Sequence, residues 1–166
     1  ETDGKKLALL FQSSTNAVRQ DFQAIIKQWW EEIGVQTELR NIDSSVFFGG
    51  DAGSPDTFQK FFADVEMYAN NFDGTDPEAY MANWECKQAP RPETQWQGNN
   101  MPRYCTPEFD ALVAEMAKTG ELEKRAELAK AMNDMLMQDY AIIPLVYRGR
   151  VSAASNTLGG VIMNSW

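Results

Sequence analysis

Residues able to do chemistry are sparse in this chain, and their types exclude more than they invite. There is no histidine, and the only two cysteines are Cys86 and Cys105, so neither a Ser-His-Asp nor a Cys-His arrangement can activate a nucleophile. The cysteine spacing matches no zinc pattern, and neither a metal nor a cofactor is expected. The stretch "GGDAG" lacks both the GxxxxGKS/T spacing and the strand-to-helix context of a phosphate-cradling loop. The 24 acidic residues are scattered over helices with no pair singled out by spacing, so no carboxylates are marked for acid–base work and no catalytic residue is assigned.

What remains is a concentration of polar and aromatic residues in loops. "YANNFDGTDP" directly follows a strand-like segment, and in open α/β sheets ligands sit beyond the carboxyl ends of strands. Asn70, Asn71 and Asp73 offer hydrogen bonds and a charge to a small ligand, while Tyr68, Phe72 and Trp96 offer contact surface. The competing reading is that Asn, Asp and Gly are there as turn formers. Cys86 and Cys105 flank a polar loop, "CKQAPRPETQWQGNNMPRYC", and a disulfide between them is the simplest reading, against two separate buried thiols. Such a bridge contributes ~3 kcal/mol by constraining the unfolded chain, and it favours an exported protein.

The elements that must position these residues follow from periodicity. In "KLALLFQ" both faces are apolar, as in a central strand covered on each side. After the capping run "SSTN", Val18, Phe22, Ile25, Ile26, Trp29, Trp30 and Ile33 recur at helical spacing up to Gly34, with Trp29 and Trp30 read as core. "VQTELRNI" alternates as a strand with one wet face, completing a βαβ unit. A short helical piece and loop occupy 43–55, a short helix is expected around 57–62, and "ADVEMYA" reads as another strand. Helices start at Asp76-Pro77 and Thr106-Pro107, and a long amphipathic helix spans 121–139. "IIPLVYRG" and "RVSAAS" read as two short strands, the first an edge or bulged strand because Pro144 has no N–H to donate. Strands interleaved with helices give an α/β class.

The 166 residues, 43% of them hydrophobic, suffice for one domain with a real core. A net charge of −9 disfavours nucleic acid and anionic lipid as partners. The longest apolar run falls far short of the ~20 residues of a membrane-spanning helix. The opening "ETDGKK" has neither an initiator Met nor an apolar export segment, so an export signal is expected to have been removed or to lie on a longer precursor.

Taken in order, "LLFQSSTNAVRQDFQAIIKQWWEEIGVQTEL", "NNFDGTDPEAYMANW", "NMPRYCTPEFDALVAEM" and "IIPLVYRGRV" resemble the C-terminal lobe of extracellular solute-binding proteins of family 5, the peptide-binding components of bacterial ABC transporters. The resemblance runs over essentially the whole chain. It implies one lobe of a type II periplasmic-binding-protein-like fold over 1–166, a mixed sheet with helices on both faces, and an absent partner lobe that closes on the solute. It further implies a peptide as solute, a membrane permease as partner, a periplasmic or extracellular location, lipid anchoring through a segment not present here, and no catalysis. By counting back from Pro77, Asp73 falls at the acidic position that pairs with the peptide's α-amino group, with Asn70 or Asn71 sharing that space. Tyr147 falls at an aromatic cavity position, although Arg148 replaces an aromatic neighbour. Alternatives are an oligosaccharide or a nickel complex on the same fold, and, from another class, a secreted carbohydrate-active enzyme or module. Whether Trp96, Asn99 and Asn100 face the solute or cover the lobe is open, with covering preferred.

Overall fold

Its two apolar faces oblige β1 (Ala8–Ser14) to be covered on each side. In the computed structural model, which describes residues 4–72, 74–149 and 151–162, it is the central strand of a sheet ordered β2-β1-β3. β2 (Gln36–Ile42) runs parallel to β1 along its whole length, from Ala8 opposite Gln36 to Ser14 opposite Ile42. β3 (Val65–Glu66) pairs in parallel on the other side, placing Phe11 opposite Val65 and Gln12 opposite Glu66. The N–H groups of Asp64 and Met67 donate to the carbonyls of Leu10 and Gln12, each at 3.0 Å, and extend that ladder by one bond at each end. The strand expected over 63–69 therefore forms only at its centre, and the described sheet is wholly parallel rather than mixed.

α1 (Ala17–Glu32) crosses between β1 and β2, as the βαβ reading requires, and the Asn16 side chain caps it by accepting the Arg19 N–H. Two consecutive helical residues point about 100° apart, so Trp29 and Trp30 cannot both face the sheet. Trp30 packs on Phe11 with ring centroids 5.6 Å apart, beside the buried Gln23 and Ile26, whereas Trp29 is 60% exposed. The core reading holds for Trp30 and is corrected for Trp29. α2 (Ser44–Phe47), capped by Asp43, follows β2. The helix expected near 57–62 is instead a series of turns. Lys60 N–H donates to Thr57 O, closing one turn, and Phe61 then adopts φ +50, a left-handed conformation that a right-handed helix cannot continue through.

A second layer is helical. α3 (Glu78–Ala82), α4 (Pro107–Met116) and α5 (Leu122–Gln138) bury Met81, Trp84, Phe109, Val113, Met116, Leu128, Met132 and Leu136 in one cluster. Thr106 caps α4 as expected, its Oγ1 accepting from Phe109 N, whereas α3 begins one residue later than expected, with Pro77 at the cap position and Asp76 Oδ1 accepting from Glu78 N at 2.9 Å. Arg125 of α5 donates to both Asp76 oxygens and to Glu78, and also to the carbonyls of Met116 and Thr119, so one guanidinium ties the start of α3 to the end of α4. These contacts hold Asp76 below the usual carboxylate range, the Arg125 hydrogen bond being the largest cause.

Cys86 and Cys105 are joined by a disulfide, as expected. The loop between them is organised from within by Asn100, which is fully buried. Its Nδ2 donates to the carbonyls of Trp84, Glu85 and Tyr104, and its Oδ1 accepts from Tyr104 N. Gly98 sits at φ +145, and a Cβ there would stand 2.1 Å from Gln88 O, so only glycine fits. Segments 142–149 and 151–155 do not form the expected strands. They pair with nothing among the described residues, and Ile143 and Tyr147 lie open to solvent. Unpaired backbone cannot form a ladder, whatever its side-chain pattern. No helix among the described residues is long and apolar enough to cross a membrane.

Asn100→Ala removes four hydrogen bonds from a site without water access and is expected to cost about 2–4 kcal/mol in urea unfolding. A loss below about 1 kcal/mol would show that the disulfide alone orders the loop.

Candidate functional site

The chain leaves β1 towards β2 on one side and later returns to β3 on the other, so the strand order reverses between β1 and β3. Two loops diverge from that point at the carboxyl ends of the strands, 15–16 after β1 and 67–72 after β3. Divergence of this kind opens the crevice in which α/β sheets hold ligands.

The carboxyl half of β1 is polar although it is buried: Gln12, Ser13 and Ser14 are each 0–1% exposed. Each side chain has a partner. Gln12 Nε2 donates to Glu66 Oε2 at 2.5 Å, Ser13 Oγ donates to Met67 O at 2.7 Å, and Ser14 Oγ accepts from Arg19 Nη1 at 2.6 Å. Sequence reasoning missed Arg19. The available signal was a base placed three residues after the helix cap, directly beyond a strand. Its guanidinium lies 5.1 Å from the centroid of the Phe48 ring and has no acidic partner within ion-pair distance among the described residues. Burial, with Arg148 adding like-charge repulsion, lowers its pKa from the ordinary arginine value.

Beyond β3, the Tyr68 ring packs on Phe58 at 5.4 Å, and burial, reinforced by Glu66 and Tyr80, raises its phenol above the ordinary tyrosine value. Phe72 is half exposed and leans on Tyr80 at 5.5 Å, which in turn meets Trp84. Asn70 and Asn71 are exposed, with Asn70 Oδ1 accepting from Asn71 N at 3.0 Å. Asp73 lies outside the described residues. The 67–72 loop thus carries Tyr68, Asn70, Asn71 and Phe72 beyond the carboxyl end of β3 as one run of chain, with the two rings packed on other aromatics and both Asn residues exposed.

Trp96 and Tyr147 do not join this group. Trp96 meets Phe62 edge-on at 5.9 Å, with Lys60 Nζ 5.3 Å from its ring centroid, and lines a shallow hollow with Gly49, Gly50 and Thr57. Tyr147 is fully exposed. Asn100 is buried within the cysteine loop, and the exposed Asn99 donates to Asn83 Oδ1 at 3.0 Å. A roomier hollow is lined by Ala8, Leu9, Gln36 and Thr37, at the opposite, amino ends of the strands. Neither of these two hollows is lined by residues of the 67–72 loop. Among the described residues no cluster of three or more His, Cys, Asp and Glu side chains is placed to hold a metal ion.

No family model and no curated protein matches this sequence. Solved structures do match. The murein tripeptide binding protein MppA of Escherichia coli superposes with a TM-score of 0.69 at 18% identity, over 84% of this chain and 24% of that one. An oligopeptide binding protein from Thermus thermophilus, complexed with a pentapeptide, gives 0.67 at 19% identity, over 88% and 25%. NikZ from Campylobacter jejuni, in complex with Ni(L-His), gives 0.67 at 20%, over 85% and 26%. At these identities the likeness is one of fold: the chain folds as part of a type II periplasmic-binding-protein-like structure, and it spans about a quarter of the length of the proteins it matches.

Arg19→Met leaves the buried Ser14 hydroxyl without its donor, and a loss of about 1–2 kcal/mol in urea unfolding is expected with unchanged helix content. A neutral substitution would show that the Arg19–Ser14 contact is dispensable.

Proposed function

We propose that this chain is one lobe of an extracellular solute-binding protein of family 5, which captures a peptide outside the cytoplasmic membrane and delivers it to an ABC-transporter permease. The observation that carries the reading is the position of the polar and aromatic 67–72 run, at the reversal of strand order in a sheet of this fold. MppA binds a murein tripeptide and the Thermus protein a pentapeptide, which supports a peptide as solute. The remaining length of such proteins would supply a second lobe opposite the crevice.

In this reading Asp73 pairs with the α-amino group of the peptide, at a net gain of ~1.5–3 kcal/mol for a charged hydrogen bond. Asn70 and Asn71 supply adaptable hydrogen bonds beside it. Tyr68 and Phe72 form the wall, held from behind by Phe58 and Tyr80. Trp96 and Tyr147 contribute only where the second lobe or the solute reaches them. The protein acts by closure around the solute and performs no catalysis. The disulfide agrees with a location outside the cytoplasm.

An open wall buries too little of a ligand for tight binding. The isolated chain is therefore expected to bind tri- to pentapeptides weakly or not at all in calorimetry, and micromolar affinity would contradict the clamp. In the full-length protein, Asp73→Asn is expected to raise the Kd for free-amine peptides about tenfold or more, while leaving N-acetylated peptides nearly unchanged. Equal effects on both would remove Asp73 from the amino-group role. Because the same fold holds Ni(L-His) in NikZ, thermal shifts of the full-length protein with peptides, oligosaccharides and Ni(L-His) distinguish the solute classes.

A further inference from the structure

Glu66 pairs with Gln12 on the face of the sheet opposite the Phe11–Trp30 contact, and its carboxyl has a single partner among the described residues. Gln12 Nε2 and Glu66 Oε2 are 2.5 Å apart, while Glu66 Oε1 is buried with no hydrogen-bond partner among the described residues. The two ends of a glutamine amide are nearly isosteric. The same positions are therefore satisfied by a neutral carboxyl group that donates its O–H to Gln12 Oε1.

The surrounding groups argue for the neutral form. Arg103, from the cysteine loop, donates to the carbonyls of Met101, Gln59 and Lys60 and makes no ion pair with Glu66. Lys60 is buried and turned to Ala52 O and the Trp96 ring. The titratable groups facing from the strand's own continuation and from α3 are the phenols of Tyr68 and Tyr80, both raised and so uncharged at neutral pH. A carboxylate here would be largely shielded from water with no contacting cation among the described residues, an arrangement that is costly unless the group keeps its proton. Burial outweighs the Gln12 hydrogen bond and the Arg103 charge, and raises the Glu66 carboxyl from 4.5 to about 8.

We propose that Glu66 is a protonated positioning residue: its carboxylic O–H, held on the Gln12 amide, locks the carboxyl end of β3 onto β1 and so places the 67–72 loop, which loss of the proton releases. β3 has only two ladder residues, so this side-chain bond is a substantial part of what holds it. The loop begins at the next residue, and its first carbonyl, Met67 O, is itself held by Ser13 Oγ. The lock concerns the geometry of the crevice wall, whatever solute that wall receives.

The sign follows from the raised value. The folded state holds the proton more tightly than the unfolded chain, so the contribution is complete below about pH 4.5, declines as pH rises, and is lost above about 8. Three measurements on the wild type and on Glu66→Gln, which mimics the protonated acid but cannot titrate, test the lock. Infrared spectra at about pH 6 are expected to show a carboxylic-acid C=O band that the variant lacks, vanishing with a midpoint near 8. Exchange of the Met67 amide, whose N–H donates to Gln12 O, is expected to accelerate between about pH 6 and 8 relative to the variant, by up to about tenfold per pH unit. Over the same interval the unfolding constant should rise relative to the variant. Should Glu66→Gln fail to fold, Gln12→Leu keeps the acid, removes its acceptor and is expected to shift the same band. Absence of an acid band below the midpoint, or an exchange ratio independent of pH, overturns the proposal.

Discussion

A central parallel strand must satisfy its backbone on two edges and cover both faces, and seven residues of β1 carry that whole obligation here. The rest of the structure is arranged around it. Backbone pairing with β2 and β3 takes up the edges, while α1 covers one face through Ile26 and Trp30. Even the Phe11 carbonyl receives a side-chain donor, Gln23 Nε2 at 2.9 Å, and Gln23 is in turn held by Asn41 from β2. This buried polar chain rigidifies the βαβ unit more than an apolar contact of equal size would, because every member must be satisfied at once. The same obligation explains why the strand turns polar towards its carboxyl end. Gln12, Ser13 and Ser14 each fasten a different element, namely β3, the 67–72 loop and α1, so the crevice rim is attached to the strand side chain by side chain.

The helical layer reaches this rim by a different route. Its core is local in sequence, built from α3, α4 and α5, and the cysteine loop is the bridge to the sheet. Asn100 shapes that loop, Asp110 of α4 accepts the Cys86 N–H at 3.0 Å, and Arg103 reaches back to the carbonyls of Gln59 and Lys60 under the sheet. The polar composition of the loop is thus what joins two layers that share few apolar contacts. Its side chains answer backbone carbonyls that neither layer satisfies on its own.

Much of the architecture was legible from pattern alone, for identifiable reasons. The βαβ unit announced itself through a two-sided apolar strand and a capped helix. The starts at Pro77 and Pro107 follow from a missing N–H that is harmless in a first helical turn. The disulfide followed from there being two thiols only. Less legible was anything set by the neighbours of a segment. The 57–62 stretch has helical composition, yet Phe61 turns left-handed where the chain must swing under the sheet. Residues 142–149 have strand composition without a strand beside them among the described residues, and Trp29 belongs to an apolar stripe of which only the Trp30 side meets the sheet. At the candidate site, Tyr68, Asn70, Asn71 and Phe72 were singled out because loops after strands are a topological expectation. Arg19 and Glu66 were not, since one looks like an ordinary helix charge and the other like an ordinary wet strand position. Their meaning lies in what burial does to them.

The two edges of the sheet are protected differently against a stray strand. β2 is an edge strand with seven residues in its ladder, long enough to template another chain, but it carries Glu38 and Arg40, the latter paired with Asp56. Charges along an edge make addition of an apolar strand unfavourable. β3 at the other edge of the described sheet is too short to template a partner of any length. An exposed parallel sheet of three strands is ordinarily an aggregation hazard, and here charge closes one side of it while brevity closes the other.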